Sequence, residues 1–195
     1  MFEMTPKHDF LVGIDSDGCA FDTMELKQKE CFTPNTINYW GLQGVSKYAR
    51  EACEFVNLYS KSRGINRFPA LVEELDWIGR RPEVRARGIQ VNVPQSLRDW
   101  IGRESKLGNP TLEKEVAATQ DPGLIQALEW SKAVNQTVEG MVRGVPPFPF
   151  VRECLEKLQG RADALVVSAT PQEALEREWA EHDLTRYVVA ICGQE

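Results

Sequence analysis

Apolar positions form short unbroken runs near both ends of the chain and fall at helical spacing through its middle. Near the N-terminus, Phe10-Leu11-Val12-Gly13-Ile14 is continuous and stops at charged Asp15, the pattern of a buried parallel strand. Periodicity alone does not separate so short a run from a buried helix. Asp15-Ser16-Asp17-Gly18 then ends it with turn chemistry. From Ser46 to about Lys61, Tyr48, Ala52, Phe55, Val56 and Tyr59 recur near helical spacing, as do Leu71, Val72, Leu75 and Ile78 over 68–78. Gly88 to Pro94 alternates like a strand or an extended loop. Leu97–Ile101 and Leu112–Ala118 read as short helices, and Asp121-Pro122 is an N-cap and first-turn pair for a helix reaching about Val142.

Arg143-Gly144-Val145-Pro146-Pro147-Phe148-Pro149 interrupts this pattern with stiff, helix-incompatible chain, as expected of a hinge or domain return. Alternation resumes beyond it: a helix over Val151–Leu158, a strand over Ala164–Val167, a helix over Pro171–Glu181 and a strand over Tyr187–Ile191. Strands and helices in turn with short connections predict an α/β fold with a parallel sheet.

Composition narrows the function classes. The 195 residues suffice for one domain with a good core, or for a core plus a smaller inserted domain. The net charge of −6 argues against a broad nucleic-acid surface. No run approaches a secretory signal or a membrane span. The five cysteines, Cys19, Cys31, Cys53, Cys154 and Cys192, are scattered and never form C-x-x-C, which fits a reducing cytoplasm better than a disulfide framework or zinc site.

The chemistry concentrates at the end of the first strand. Asp15 and Asp17 place two carboxylates two residues apart where open α/β sheets hold their ligands. One carboxylate can attack phosphorus while the other handles the leaving-group proton, and both suit a hard cation such as Mg²⁺. Gly18 allows a tight turn close to a ligand. The same four residues also read as a plain polar strand-end turn. A calcium loop needs further acids that Cys19-Ala20-Phe21 does not supply. At the end of the next core strand, Ser168 offers a hydroxyl, followed by Ala169, Thr170 and Pro171. A hydroxyl with backbone N–H groups at a helix start is a ready anion site, and it is also how a helix is capped.

The string Asp15-Ser16-Asp17-Gly18-Cys19-Ala20-Phe21-Asp22-Thr23 resembles the first motif of the haloacid dehalogenase-like (HAD) superfamily, D-x-D-G-x-x-x-D-T, at every defined position. The resemblance implies a Rossmann-like core with Asp15 as nucleophile, forming an aspartyl-phosphate. It implies Asp17 as general acid/base, whose backbone carbonyl also faces Mg²⁺, so that Asp15 and Asp17 form the metal site. It implies that Ser168 holds a phosphoryl oxygen, with Gly18 and Ala169 beside the phosphate and Thr170 as a helix cap. An acid at position 17 favours phosphate esters over halides, because an alkoxide leaving group needs a proton and a halide does not.

By the same resemblance, residues 24–143 form an inserted helical cap that excludes water and selects the substrate, while 1–23 and 144–195 form the core. Arg63, Arg67, Arg80 and Arg81 are the candidates for substrate contact, though each by itself reads more simply as part of a solvated basic surface. Trp40, Trp77, Trp100 and Trp130 are expected in the cap core, and His8 and His182 on the surface. The implied function is a hydrolase acting on a small phosphorylated metabolite, with a phosphomutase or a non-catalytic phosphate-binding module as alternatives; neither nucleic acid nor membrane is an expected partner. The family's later Lys and paired acids have no counterpart after Ile191, where only Cys192-Gly193-Gln194-Glu195 follow, and Lys132 and Lys157 come too early. The expectation is therefore an N-terminal part of a longer polypeptide, with little activity by itself and an exposed first strand.

Overall fold

A computed structural model describes residues 4–193; Gln194 and Glu195 lie outside them. The elements in chain order are β1 (Leu11–Ile14), α1 (Met24–Leu26), α2 (Thr33–Tyr39), α3 (Ser46–Glu54), α4 (Arg67–Arg80), α5 (Pro82–Ala86), α6 (Gln95–Arg103), α7 (Asn109–Thr119), α8 (Pro122–Met141), α9 (Val151–Leu158), β2 (Asp163–Val167), α10 (Gln172–Glu181) and β3 (Ala190–Cys192). Two compact units result: a sheet unit made of the residues up to Glu25 and those from Val142 onward, and a helical unit, Leu26–Met141.

The sheet unit is α/β, with three parallel strands in the order β1-β2-β3. Ile14 pairs with Val166, and Val166 with Ile191, which fixes the register. Burial of Ala164, Leu165 and Val166 suits their unbroken apolarity, since a central parallel strand is covered on both faces. Phe21, Leu155, Val166, Trp179 and Leu184 form the core. β1 has the apolar run of a buried strand but is the exposed first strand expected: it borders the sheet among the described residues, with Leu11 59% and Phe10 71% exposed. The last strand also begins later than its apolar run. Thr185–Tyr187 is a 3₁₀ turn, and Tyr187 and Val188 donate back to Leu184 and Thr185, so the first bond to β2 comes from the Val189 amide, to Ala164 O at 2.8 Å, and the strand proper starts at Ala190.

His8 is not the plain surface residue expected. Its Nδ1 lies 2.9 Å from Oδ1 of buried Asp163, while the amides of Lys7 and His8 donate to Oδ2. These contacts, the His8 ring first, hold the Asp163 carboxyl below its usual range.

The helical unit packs around Phe68, Trp100 and Trp130, whose rings meet edge-on at 5.0 and 6.3 Å. Trp77, expected inside, is 42% exposed and meets Phe55 edge-on, with ring centres 5.0 Å apart. The predicted start of α8 is present: Asp121 Oδ1 accepts from the amides of Gly123 and Leu124 at 2.8 and 3.0 Å. Residues 89–94 adopt no strand, and Ile89, Val91 and Val93 pack on the core from an extended loop. The long helix expected from Ser46 changes character at Phe55. There α3 gives way to a π-helical stretch, Phe55–Tyr59, closed by a 2.7 Å bond from the Ser60 amide to the Phe55 carbonyl. No helix of the described residues is long and apolar enough to cross a membrane.

Candidate functional site

The pairing of Ile14 with Val166 sets the ends of β1 and β2 side by side. Asp15 follows β1 directly and is exposed; Ser168 follows β2 directly and is half-buried. The two residues singled out from sequence therefore share the carboxyl edge of adjacent parallel strands.

After Asp15 the chain folds tightly on one carbonyl. Ser16 O accepts from the amides of Cys19, Ala20 and Phe21 at 3.2, 2.9 and 3.0 Å, and the Gly18 amide donates to Phe21 O at 2.8 Å. Gly18 sits at φ +73°, a left-handed conformation that glycine adopts without steric cost. The Ser16 amide donates to Asp15 Oδ1 at 2.8 Å. The Ser16 side chain is fully buried against α10, donating to Glu178 Oε2 at 2.9 Å and accepting from Trp179 Nε1 at 3.1 Å. Thus the residue between the two aspartates anchors their loop.

Asp17 is held from two sides. The buried Thr23 hydroxyl donates to its Oδ1 at 2.5 Å, and the Thr170 hydroxyl to its Oδ2 at 2.7 Å. Thr170 is thus not the helix cap expected of it: Pro171 occupies the N-cap position of α10, no side chain caps there, and the Thr170 hydroxyl is turned to Asp17 instead.

Ser168 differs from a helix-start anion site in one respect. Its amide donates to Cys192 O at 3.1 Å and so belongs to the sheet, while its Oγ accepts from the Thr170 amide at 3.3 Å. Ala169 is exposed between them. Sequence reasoning missed the Thr170, Glu178 and Trp179 contacts. The nearest signal was a second hydroxyl two residues past Ser168.

In the helical unit, the Arg67 guanidinium donates to Ser131 O, Ser131 Oγ and Asn135 Oδ1 at 3.3, 3.1 and 2.6 Å, and lies 5.2 Å from the Phe32 ring centre. Burial lowers its pKa to about 10. Arg81 pairs with Glu51 at 2.6 Å and lies over Tyr48, whereas Arg63 and Arg80 are exposed. His182 packs on Phe21, with ring centres 5.5 Å apart. All five cysteines are unpaired.

No family model and no curated protein matches the sequence. Several solved structures resemble the chain. A HAD-superfamily hydrolase of subfamily IA, variant 1, from Geobacter sulfurreducens PCA is 14% identical, with a TM-score of 0.41 over 97% of this chain and 66% of that one. A predicted phosphoglycolate phosphatase from Haemophilus somnus 129pt is 13% identical, with a TM-score of 0.44 over 99% and 65%. An L-2-haloacid dehalogenase from Xanthobacter autotrophicus is 14% identical, with a TM-score of 0.33 over 94% and 56%. The chain spans less than two thirds of the length of each.

Proposed function

We propose that the sheet unit carries a phosphoryl-transfer site for a small phosphate monoester, with Asp15 as nucleophile and Asp17 as acid and base. The observation that carries this reading is the 2.7 Å bond from Thr170 to Asp17. It ties the loop after β1 to the loop after β2, so the segment bearing Ser168 also orients the second carboxylate. In the proposed step, an Asp15 oxygen bonds to phosphorus as the ester P–O bond breaks, and the leaving oxygen takes its proton from Asp17. Water then attacks the aspartyl-phosphate, giving its proton back to Asp17. The hydroxyls of Thr23 and Thr170 hold the Asp17 carboxyl from two sides and so fix its orientation. Ser168 binds a phosphoryl oxygen, with Gly18 and Ala169 beside it.

The donor set of this site is oxygen alone, which suits Mg²⁺. Among the described residues, no group of three or more His, Cys, Asp or Glu side chains converges on a metal position. Asp15 and Asp17 would hold the ion, with phosphate and water completing its shell, and it would offset repulsion between carboxylate and phosphate. The helical unit acts as the cap that selects the substrate, and the protein works in the cytoplasm, where its unpaired thiols persist.

Beryllofluoride, a mimic of the phosphoryl group, tests the reading. In the presence of Mg²⁺ the chain should bind it in a form visible by ¹⁹F NMR, and Asp15→Asn should abolish the signal. Binding that survives Asp15→Asn rules out Asp15 as the nucleophile.

A further inference from the structure

Within the helical unit, one carboxyl group is surrounded by four helical segments. Glu74 of α4 is 2% exposed. From the π-helical stretch, Asn57 Nδ2 donates to Oε1 at 2.6 Å while also reaching Cys53 O at 2.9 Å. Cys53 Sγ from α3 and Thr36 Oγ1 from α2 donate to Oε2 at 3.3 and 3.4 Å. Thr36 Oγ1 in turn accepts from Trp130 Nε1 of α8 at 3.2 Å. The three groups that bond to Glu74, from Asn57, Cys53 and Thr36, are neutral, and none is a Lys or Arg.

We propose that Glu74 is a proton-binding site, and that its protonation reverses the Thr36 hydrogen bond and so changes the setting of Trp130. When Glu74 is ionised, Thr36 donates to it. When a proton from solvent settles on Oε2, the acid O–H needs an acceptor, and Thr36 Oγ1 is in reach. A hydroxyl has two lone pairs, so Thr36 can accept from both Glu74 and Trp130 while its own hydrogen turns away. The irregular turn at Phe55–Tyr59 places Asn57 against the carboxyl, and such interruptions of a helix recur at functional positions.

Burial raises the Glu74 pKa to about 7, against the opposing hydrogen bonds of Asn57, Cys53 and Thr36. Its charged and titratable neighbours are few. Glu73 on α4 raises it further. From α3, Cys53 is itself held protonated by burial and by Glu74, with Arg50 acting on that thiol in the opposite sense. The contacts from α2, from the π-helical stretch and from α8 are the neutral Thr36, Asn57 and Trp130.

Tryptophan fluorescence of the full chain, titrated from about pH 5 to 9, tests this. A transition centred near pH 7 is expected, and Glu74→Gln should remove it. Thr36→Val should remove the fluorescence change while leaving the carboxyl titration in place. A transition that survives Glu74→Gln unchanged overturns the proposal, as does the absence of any transition. Should Glu74→Gln not fold, ¹³C NMR of the glutamate carboxyls in the unaltered chain decides: one carboxyl titrating near neutrality supports the site, and none doing so overturns it.

Discussion

Thr170 and Asp17 lie 153 positions apart in the chain, and the Thr170 hydroxyl donates to Asp17 Oδ2 at 2.7 Å. One carboxylate thereby reports on the docking of two separate loops. Thr170→Val keeps the shape and removes the donor, while the Thr23 hydroxyl bond to Oδ1 stays in place. Urea unfolding should show a loss of roughly 1 kcal/mol, a charge-assisted bond discounted for partial exposure. A double-mutant cycle with Asp17→Asn should give a coupling of the same size, and strictly additive effects would deny the contact.

Ser16→Ala should be costlier. It leaves fully buried Trp179 without its acceptor at Nε1 and takes the hydroxyl from Glu178. An unsatisfied buried donor costs about 1–3 kcal/mol. The same variant frees the loop between Asp15 and Asp17 from α10, so amide hydrogen exchange at Asp17 and Gly18 should accelerate.

The raised Glu74 pKa has a definite sign in stability. Between its ordinary value of 4.5 and about 7, the folded state holds a proton that the unfolded chain releases. Stability is therefore fully present below 4.5, falls as pH rises through that window, and levels off above about 7. The gap corresponds to on the order of 3 kcal/mol. Denaturant unfolding from pH 4 to 8 should show this decline in the unaltered chain and a flatter profile in Glu74→Gln.

Asp163 has the opposite sign. Its depressed pKa contributes stability that is present above 3.8 and lost as pH falls through its lower folded-state value. His8→Ala removes the first cause of the depression, so acid unfolding followed by circular dichroism should begin at a higher pH.

Gly123→Ala tests the packing of α8 on the entry to α6. A methyl group there would lie 2.4 Å from Pro94 Cβ and 2.9 Å from its Cγ, too close for either ring carbon. Overpacking of this kind costs about 1–3 kcal/mol, seen as a lower thermal midpoint.

Local chemistry explains which features the sequence disclosed. Asp121-Pro122 marks the start of α8 because a cap acts within three residues. Asp15 and Ser168 could be placed at one edge because each directly ends a short apolar run in a parallel sheet. α2 was illegible: Thr33-Pro34-Asn35-Thr36-Ile37-Asn38-Tyr39 has little apolar periodicity. Its inner face is Thr33, Thr36 and Ile37, and Thr36 joins the buried network of Glu74 and Trp130. Alternation at Ile89, Val91 and Val93 marked one buried side of a segment without marking strand partners. The role of Thr170 depends on a contact across most of the chain, which no local pattern encodes.

The sheet order also governs the timing of folding. β1 ends at Ile14, and its partner β2 begins only at Asp163, whereas the helical unit is one unbroken stretch, Leu26–Met141. At about 5–20 residues per second of synthesis, β1 waits roughly 10–30 s for its partner to leave the ribosome, while the helical unit can already be complete. During that interval Val12 and Ile14, half-buried in the folded chain, have no neighbour strand. Binding by nascent-chain chaperones should therefore concentrate on β1 until β2 emerges.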